Sequence, residues 1–358
     1  MFTHFISIFA YISKKKMLLK NSILLLFVLG LISSCTKDPV IKPEIEPPTP
    51  IDTTKVVVPK PKDSLFERRS FSFVIHEHFV DETVDQQLFL GSLWSLKDTT
   101  KSLHLENIQS MAKKFPIYVM ANSAKEEMGH FFPSYTSILN YANLFKNTDL
   151  SGSIEMGSRD FSDYAEIQLY IPLNKDIEKV LNLVKHGDST TVQKTHSTFR
   201  HTLVRRLTLD TDQVDYFSNY QESDLNNLKK LGYSPYFIIS VNYGYQLVIA
   251  AESDFTRPDM NRAIDKLLEG NPLDNIDEQV LNTTKLLVYY RDGSKDTFIR
   301  HAINLQEIKS TLSTLSHRIK SNFDNFTYPL SYLAMHITTG EILGYTNTFD
   351  LQVKKTSK

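Results

Sequence analysis

The sequence predicts an α+β fold, and two kinds of residue pattern support that prediction. The chain is rich in aromatic residues, with 22 Phe and 17 Tyr. Residues 236–242 are mostly β-branched and aromatic, which favours a largely covered β-strand, and residues 285–290 form a second short, mostly apolar strand-like run. Residues 257–269 and 305–319 instead place their apolar side chains on one face at helical spacing. A fold that contains both strands and helices accommodates both patterns.

The first 35 residues have the layout of a secretion signal. Lysines among residues 14–20 precede an apolar run over residues 23–32, and the tetrapeptide ISSC then ends at Cys35. A basic segment, a short apolar segment and small residues predict secretion. The apolar run is shorter than the roughly 20 residues that span a bilayer. ISSC resembles a bacterial lipobox, which implies that Cys35 is acylated; an ordinary signal peptide with an incidental cysteine is the alternative.

A proline-rich stretch separates this signal from the rest of the chain. Prolines recur among charged residues and threonines from Thr36 to Lys62, which predicts an extended, semi-rigid tether. We therefore divide the chain into three parts. They are a lipoprotein signal peptide with its lipobox Cys35 (residues 1–35), a disordered tether (residues 36–65) and a folded body (residues 66–358).

The folded body alternates between strand-like and helix-like stretches. Apolar periodicity and alternation distinguish the two kinds. The predicted strands outside the central region are residues 71–80, 165–171, 285–290 and 345–353, while residues 196–207 alternate only partly. The predicted helices are a short one over residues 105–112, residues 137–144, residues 174–183, and a long one from its cap at Asn304 through residue 319.

The remaining elements are organised around the most apolar stretch of the body. A strand pattern over residues 236–251 is interrupted at Gly244, which predicts two strands. A lone glycine inside a strand pattern marks a bulge, a bend or a close backbone approach. Thr256, with Asp259 three residues later, predicts a helix start, and Gly270 predicts its end.

Two short motifs lie in these apolar stretches. The first is VNYGY at residues 241–245, and the second is YPLSYL at residues 328–333. The first resembles the Val-x-Tyr-Gly-Arg motif of the thiol-activated, cholesterol-dependent cytolysins, with Tyr245 in place of Arg. The second resembles the aromatic-Pro-Ile-Ser-Tyr strand of that family. The core-motif residues carried over on this resemblance are Val241, Tyr243, Gly244, Tyr245, Tyr328, Pro329, Ser331 and Tyr332.

The resemblance implies the fold of the membrane-attack-complex/cytolysin (MACPF/CDC) superfamily, a bent, twisted central antiparallel sheet with flanking helices. It covers the first three domains of the cytolysins, at about residues 71–340. Residues 334–358 contain no tryptophan, and they are too few for the cholesterol-binding domain that follows in the family. We therefore expect that domain to be absent. Gly293 stands where the family has a Gly-Gly pair, so it is the hinge candidate.

For function, the resemblance implies a pore-forming-toxin-like surface lipoprotein. In such a protein, sheets assemble edge to edge and two segments, here residues 172–205 and 266–291, refold into membrane-inserted β-hairpins. A spanning strand needs roughly 9–11 residues, so residues 185–194 cannot form a hairpin alone. Arg205 or Arg206 facing lipid near mid-bilayer would cost roughly 2–4 kcal/mol. The alternative is a non-lytic surface binding or partner-regulating lipoprotein that keeps the cytolysin scaffold.

Charge and motifs exclude several other classes. The formal net charge of −1 favours no nucleic-acid partner. The nucleophile-elbow, zinc-protease and phosphate-loop motifs are absent, so no enzyme, catalytic residue or cofactor is predicted. His76 and His78 lack a third ligand at a suitable spacing, so a solvated strand face is favoured over a metal site. Asp210, Asp212 and Asp215 lack the spacing of a calcium loop.

The expected partners follow from the lipobox and from the resemblance. They are a membrane bound through acylated Cys35, further copies of this chain or a cytolysin-like partner chain, and a target membrane lipid. The expected location is the bacterial outer membrane or the cell surface, with secretion as an alternative.

Overall fold

A computed structural model describes residues 66–80, 88–97, 104–111, 113–123, 128–150, 152–171, 175–211 and 220–354. The predicted signal peptide of residues 1–35, with Cys35, and the predicted tether of residues 36–65 lie outside the described residues. The strands are β1 Phe66–Ile75, β2 His78–Phe79, β3 Leu93–Lys97, β4 His104–Asn107, β5 Ile117–Ala121, β6 Gly129–Phe131, β7 Ser153–Arg159, β8 His196–Thr211, β9 Pro235–Ser253, β10 Lys285–Arg291, β11 Phe298–Ala302, β12 Ser331–His336 and β13 Tyr345–Lys354.

The helices are interspersed between these strands, which confirms the α+β prediction. The α-helices are α1 Tyr135–Asn143, α2 Lys175–Val184, α3 Glu222–Lys230, α4 Arg257–Glu269, α5 Asn275–Thr283 and α6 Leu305–Ser321. Two 3₁₀ helices occupy Gln109–Met111 and Tyr164–Leu169. As predicted, Thr256 caps α4, Asn304 caps α6, and Gly270 ends α4 in the left-handed conformation.

Strands β8 and β9 form the antiparallel spine of an 11-stranded sheet. In the half near the start of β9, β9 also pairs with β12 and β3, and β8 pairs with β5. In the other half, β9 pairs with β10, and β8 pairs with β7. We call these the first half and the second half of the sheet. The β8–β9 register shifts between Arg205 and Leu207, where the halves meet, and such a bulge bends the strand.

Helices cover the two halves differently. In the first half, α1 and α3 pack against the largest apolar core, which includes the fully buried Trp94 and Phe237. In the second half, α4, α5 and α6 pack on one face of the sheet. The 3₁₀ helix Tyr164–Leu169 and α2 pack on the opposite face. The second half is therefore covered by helices on both faces.

The first and last described strands form a separate two-stranded sheet, which we call the ribbon. Strands β1 and β13 pair antiparallel along their full lengths, from Phe66 opposite Lys354 to Ile75 opposite Tyr345. Phe71, Phe73 and Phe349 stack on one face of the ribbon and pack against Leu169 and its neighbours. The predicted strand over residues 345–353 is thus confirmed, with β1 as its partner.

Four sequence predictions about single elements are wrong. The strand predicted over residues 71–80 is divided into β1 and β2, and His78, expected on a solvated strand face, is buried beside β12. The stretch over residues 105–112 is β4 followed by a 3₁₀ turn, because β4 pairs with β3. Residues 165–171 mainly form a 3₁₀ helix, which Asp163 caps by accepting a hydrogen bond from Ala165 N. The two strands predicted around Gly244 are the single 19-residue strand β9. In each case tertiary pairing or a local cap outweighs the apolar pattern.

Candidate functional site

The first motif lies at the junction of the two sheet halves. Val241 and Tyr243 are buried, and the Tyr243 ring meets that of Phe326 at 5.8 Å between centroids. A Cβ atom on Gly244 would lie 1.9 Å from the carbonyl oxygen of Val204. Only glycine allows strands β8 and β9 to approach this closely opposite the bulge. The close approach expected of Gly244 is therefore present, although the strand continues through it.

The second motif meets the first across β9 and β12. Leu330 N donates to Asn242 O at 2.7 Å, and Ser331 lies opposite Asn242 in the strand register. The Tyr332 ring packs against the buried His78, with 5.5 Å between centroids. The structure thus brings together two motifs that are more than 80 residues apart in sequence.

A polar cluster joins these motifs to the start of the folded body. Arg205 donates two hydrogen bonds to the Glu77 carboxylate, at 3.0 and 2.5 Å, and Asn242 and Ser331 also donate to it. Burial raises the pKa of Glu77, but hydrogen bonds from Arg205 and Ser331 outweigh burial and lower it below its ordinary value. The hydrogen bond to Glu77 raises the pKa of Arg205. Arg205 also pairs with Glu155 on β7.

The hinge candidate Gly293 lies in a turn that is packed against the chain after α6. A Cβ atom there would lie 2.0 Å from Asn325 O, and Gly293 O accepts a hydrogen bond from Tyr328 N at 3.2 Å. The neighbouring Asp292 is buried and accepts hydrogen bonds from Ser294 and Asn322. Gly293 thus allows a close backbone contact in this conformation, and its role as a hinge stays a prediction.

The first predicted insertion segment, residues 172–205, covers most of the β7–β8 connection and continues into β8. Val180 and Val184 of α2 pack on the sheet, while Leu181 also packs toward the ribbon. Asn347 of the ribbon donates to Gln168 O at 3.5 Å. The 3₁₀ helix Tyr164–Leu169 therefore lies between the sheet and the ribbon, and α2 packs on the sheet and reaches the ribbon through Leu181.

A buried carboxylate fixes the end of this connection. Glu252 on β9 is almost fully buried and accepts hydrogen bonds from Gln193 N at 2.5 Å and Lys194 N at 2.9 Å. Lys285 lies 3.5 Å from the same carboxylate. Ser197 exchanges two hydrogen bonds with the backbone of Phe161. These contacts hold both ends of the connection on the sheet.

The second predicted insertion segment, residues 266–291, begins within α4, includes α5 and ends with β10, so its part in the β9–β10 connection is largely helical. Asp277 of α5 is fully buried and pairs with Arg262 at 3.0 Å and with Lys266, both on α4. Burial raises the pKa of Asp277, but hydrogen bonds from Lys266 and Arg262 outweigh burial and lower it to about 2. An ion-pair network therefore joins α4 to α5.

The two edges of the second half are unlike each other. Strand β11 pairs with β10 at one edge, and α2 and α6 lie against it. Strand β7 forms the other edge, and six of its seven residues are exposed. Ile154 and Met156 point from one face of β7, with 59% and 73% of their surfaces exposed. Among the strands that the structure describes, none pairs with the outer side of β7, and an unpaired strand edge can accept a further strand.

Sequence reasoning missed the residues that join distant elements here. In the sequence, Arg205 is a charge in a candidate membrane strand, and Glu77 lies between His76 and His78 with no pattern that points to Arg205. Within the described ranges, no three His, Cys, Asp or Glu residues lie together as a metal site. None of the helices that the structure describes is long and apolar enough to cross a bilayer. Glu77 and Arg205 lie 128 positions apart in the chain, so their pairing leaves no local signal in the sequence.

A split antiparallel sheet with helical connections on both faces defines a cytolysin-type fold. Pneumolysin matches with a TM-score of 0.58 at 15% identity, covering 80% of this chain. Suilysin from Streptococcus suis matches with a TM-score of 0.53 at 13% identity over 80% of this chain. Listeriolysin O matches with a TM-score of 0.53 at 12% identity over 82%. No family description and no curated protein matches the sequence.

These structures are similar to the chain in fold, and suilysin is described as a cytotoxin. The matched region spans 64% of pneumolysin and 66% of suilysin and listeriolysin O. A non-hemolytic pneumolysin from Streptococcus pneumoniae strain ST306 matches with a TM-score of 0.57 at 15% identity, covering 80% of this chain and 65% of its own. The predicted cytolysin-like fold is confirmed.

Proposed function

We propose that this chain is a pore-forming-toxin-like surface lipoprotein. In this proposal, copies assemble edge to edge and insert β-hairpins into a target membrane. The observation that carries the proposal is topological. The α2 connection joins β7 to β8, and the α4–α5 connection joins β9 to β10. Both strand pairs are already antiparallel and hydrogen-bonded neighbours. Extending the two connections would therefore lengthen two existing hairpins without changing the strand order.

The lengths of the two connections support this proposal. The β7–β8 connection spans residues 160–195, which is 36 residues, and the β9–β10 connection spans residues 254–284, which is 31 residues. A hairpin that crosses a bilayer needs at least about 20 residues in its two strands. Both connections exceed that length. All backbone groups in lipid must be paired, so the hairpins need a closed ring of copies.

The open edge of β7 supports assembly of this kind. An unpaired strand edge is a template for a strand from another chain. The opposite edge of the same half is occupied by β11, so a second copy would pair with β10 only after β11 departs. The partner in assembly is a further copy of this chain or a cytolysin-like partner chain.

The proposed membrane attachment is separate from the proposed insertion. Acylation of Cys35 would hold the protein in the bacterial outer membrane or at the cell surface, and cleavage from the anchor would secrete it. The folded body would then act on a target membrane and recognise a lipid there. Mass spectrometry of the mature protein tests the anchor, because acylation adds the mass of the lipid at Cys35.

Dye release from liposomes of varied lipid composition tests the lytic function. The protein used is residues 63–358, which lies within the compact unit Lys62–Lys358 and lacks Cys35. Release of dye, with ring-shaped oligomers in electron micrographs, is the expected result. Liposomes that retain their dye in every lipid mixture would reject a pore formed by this chain alone.

Insertion itself is tested with an environment-sensitive dye on a single introduced cysteine. Ser189→Cys places the dye in the turn of the β7–β8 connection, and Ser72→Cys places it on the exposed face of the ribbon as a matched control. The dye at position 189 should report an apolar environment on liposomes, while the dye at position 72 should not. Equal responses at the two positions would contradict hairpin insertion.

The second candidate function is a non-lytic surface binding or partner-regulating protein. The packing of the β7–β8 connection against the sheet and the ribbon favours it, because that burial must be undone before the segment can insert. The non-hemolytic pneumolysin with the same fold is consistent with it. Binding to membranes or to a cytolysin-like chain without dye release would support this function.

A further inference from the structure

The outer face of β5 and β6 carries an unusual set of side chains. Ile117 and Val119 of β5 are buried in the core, so Tyr118 and Met120 point outward. His130 of β6 lies opposite Tyr118 in the strand register and is exposed. The rings of Tyr118 and His130 are stacked, with 4.3 Å between centroids and 19° between planes. This stacking holds the imidazole on the outer face of the sheet.

Two methionines flank this imidazole. The register pairs Val119 with Gly129, the first residue of β6, and Met128 directly precedes Gly129 in the chain. Their exposed fractions are 63% and 43%. Directly opposed residues on neighbouring strands have Cβ atoms about 4.5–5.5 Å apart, and diagonal neighbours remain within reach of long side chains. Two methionine side chains and one imidazole are thus exposed close together on the outer face of β5 and β6.

We propose that Met120, Met128 and His130 form a binding site for a soft monovalent metal ion, Cu(I). Thioether and imidazole ligands together select Cu(I) over hard cations, which prefer oxygen ligands. Both methionine side chains are flexible, so their sulfurs can converge on one ion. Asp210 lies opposite Met120 on β8 and places a carboxylate beside the site, which favours a cation.

The position of the methionines distinguishes this site from ordinary surface methionines. Met156 on β7 is 73% exposed, yet its directly opposed residue on β8 is Thr202, and His201 points to the other face of the sheet. Met156 therefore lacks a second sulfur or an imidazole on its own face of β8. It offers a matched control for any metal that binds exposed thioethers in general.

Cu(I) titration against bicinchoninate under anaerobic conditions tests the site. All proteins are the full chain with Cys35→Ala, so that the single thiol does not compete for the metal. We expect one Cu(I) per chain. Met120→Leu, Met128→Leu and His130→Gln should each weaken binding at least about tenfold, while Met156→Leu should not change it. Zn²⁺ and Ca²⁺ should not compete for the site.

Methyl NMR of ¹³C-labelled methionine gives a second readout that needs no affinity change. Cu(I) should shift the signals of Met120 and Met128, assigned from their Leu variants, and leave that of Met156 in place. Unchanged affinity in the three site variants would overturn the proposal, and so would equal shifts at all exposed methionines. That outcome would leave the face as an apolar protein-binding surface. Circular dichroism verifies that the surface variants remain folded.

Discussion

The two helical connections lie on opposite faces of the same sheet and are held there by different forces. The β7–β8 connection is held by apolar burial between the sheet and the ribbon, and by hydrogen bonds from its backbone to Glu252. The β9–β10 connection is held by an apolar core with α6 and by the buried Asp277 paired with Arg262 and Lys266. The first connection, unlike the second, also packs against the ribbon, through its 3₁₀ helix and Leu181.

Because different interactions hold them, we expect the two connections to respond to different changes, the first to separation of the ribbon and the second to protonation of Asp277. Apolar burial is insensitive to pH, and the first connection can leave the sheet only if the ribbon separates from it. The ion pairs between α4 and α5 depend on the ionised form of Asp277 and weaken when that carboxylate is protonated. If the connections refold during insertion, separation of the ribbon would release the first connection, and protonation of Asp277 would favour release of the second.

The largest effect is expected at the spine on which both connections depend. Gly244→Ala places a Cβ atom against Val204 O, so β8 and β9 must separate at the junction. We expect a loss of at least about 4 kcal/mol in the free energy of unfolding, or an insoluble protein. Urea denaturation measures the loss. Gly157→Ala is the control, because its Cβ meets open space and should change stability little.

A matched pair of core substitutions tests whether the two connections unfold independently. Val180 of α2 and Val280 of α5 are both fully buried. Val180→Ala and Val280→Ala should each cost about 2–3 kcal/mol, since each leaves a cavity. Hydrogen exchange should quicken in residues 175–184 for the first variant and in residues 275–283 for the second. Equal acceleration in both segments would show that the two connections unfold as one unit.

Acid should separate the two connections further. The pKa of Asp277 is lowered from 3.8 to about 2, so the folded state favours its ionised form. Its stabilising contribution is present above about pH 4 and is lost as the pH falls toward 2. Asp277→Asn should cost about 1–2 kcal/mol at pH 7 and remove this part of the acid sensitivity. Denaturation at several pH values measures both, and an unchanged slope in the variant would refute the assignment.

The smallest effect is expected at an exposed pair on the α5 side. Lys309 of α6 lies 2.8 Å from Glu278 of α5, and both side chains are partly exposed. Glu278→Gln should change the free energy of unfolding by less than about 0.5 kcal/mol, because water screens such pairs. Thermal denaturation in low and high salt checks this. A larger loss of unfolding free energy that depends on salt would contradict this prediction and show that the exposed pair stabilises the α5–α6 contact.

Local signals made the helices and several strands predictable. Helices α4 and α6 have an N-cap residue and an apolar stripe within one short stretch, so no distant partner is needed to recognise them. The stretch over residues 105–112 has a similar stripe but is β4, because pairing with β3 satisfies its backbone. Residues 165–171 alternate like a strand, yet Asp163 caps them as a 3₁₀ helix. Short segments carry too little periodicity to resist their surroundings.

The candidate site divides in the same way. Its motif residues, such as Gly244 and Ser331, were recognisable from short strings, and Gly244 was correctly expected at a close approach or bulge. The residues that contact these motifs could not be recognised from the sequence, because Glu77 and Arg205 are 128 residues apart and meet only in the folded sheet. The same holds for Glu252, which holds the backbone of a loop 58 residues earlier.

From the sequence alone it was predictable that the folded body mixes strands with capped helices. The sequence also predicts a secretion signal and a proline-rich tether before that body. Those features rest on spacing and composition within a few residues of each other. The pairing of the first and last described strands into one ribbon, and the packing of the 3₁₀ helix between this ribbon and the sheet, became visible only in the folded structure. Such contacts depend on burying apolar faces from distant parts of the chain, and no local pattern specifies which faces meet.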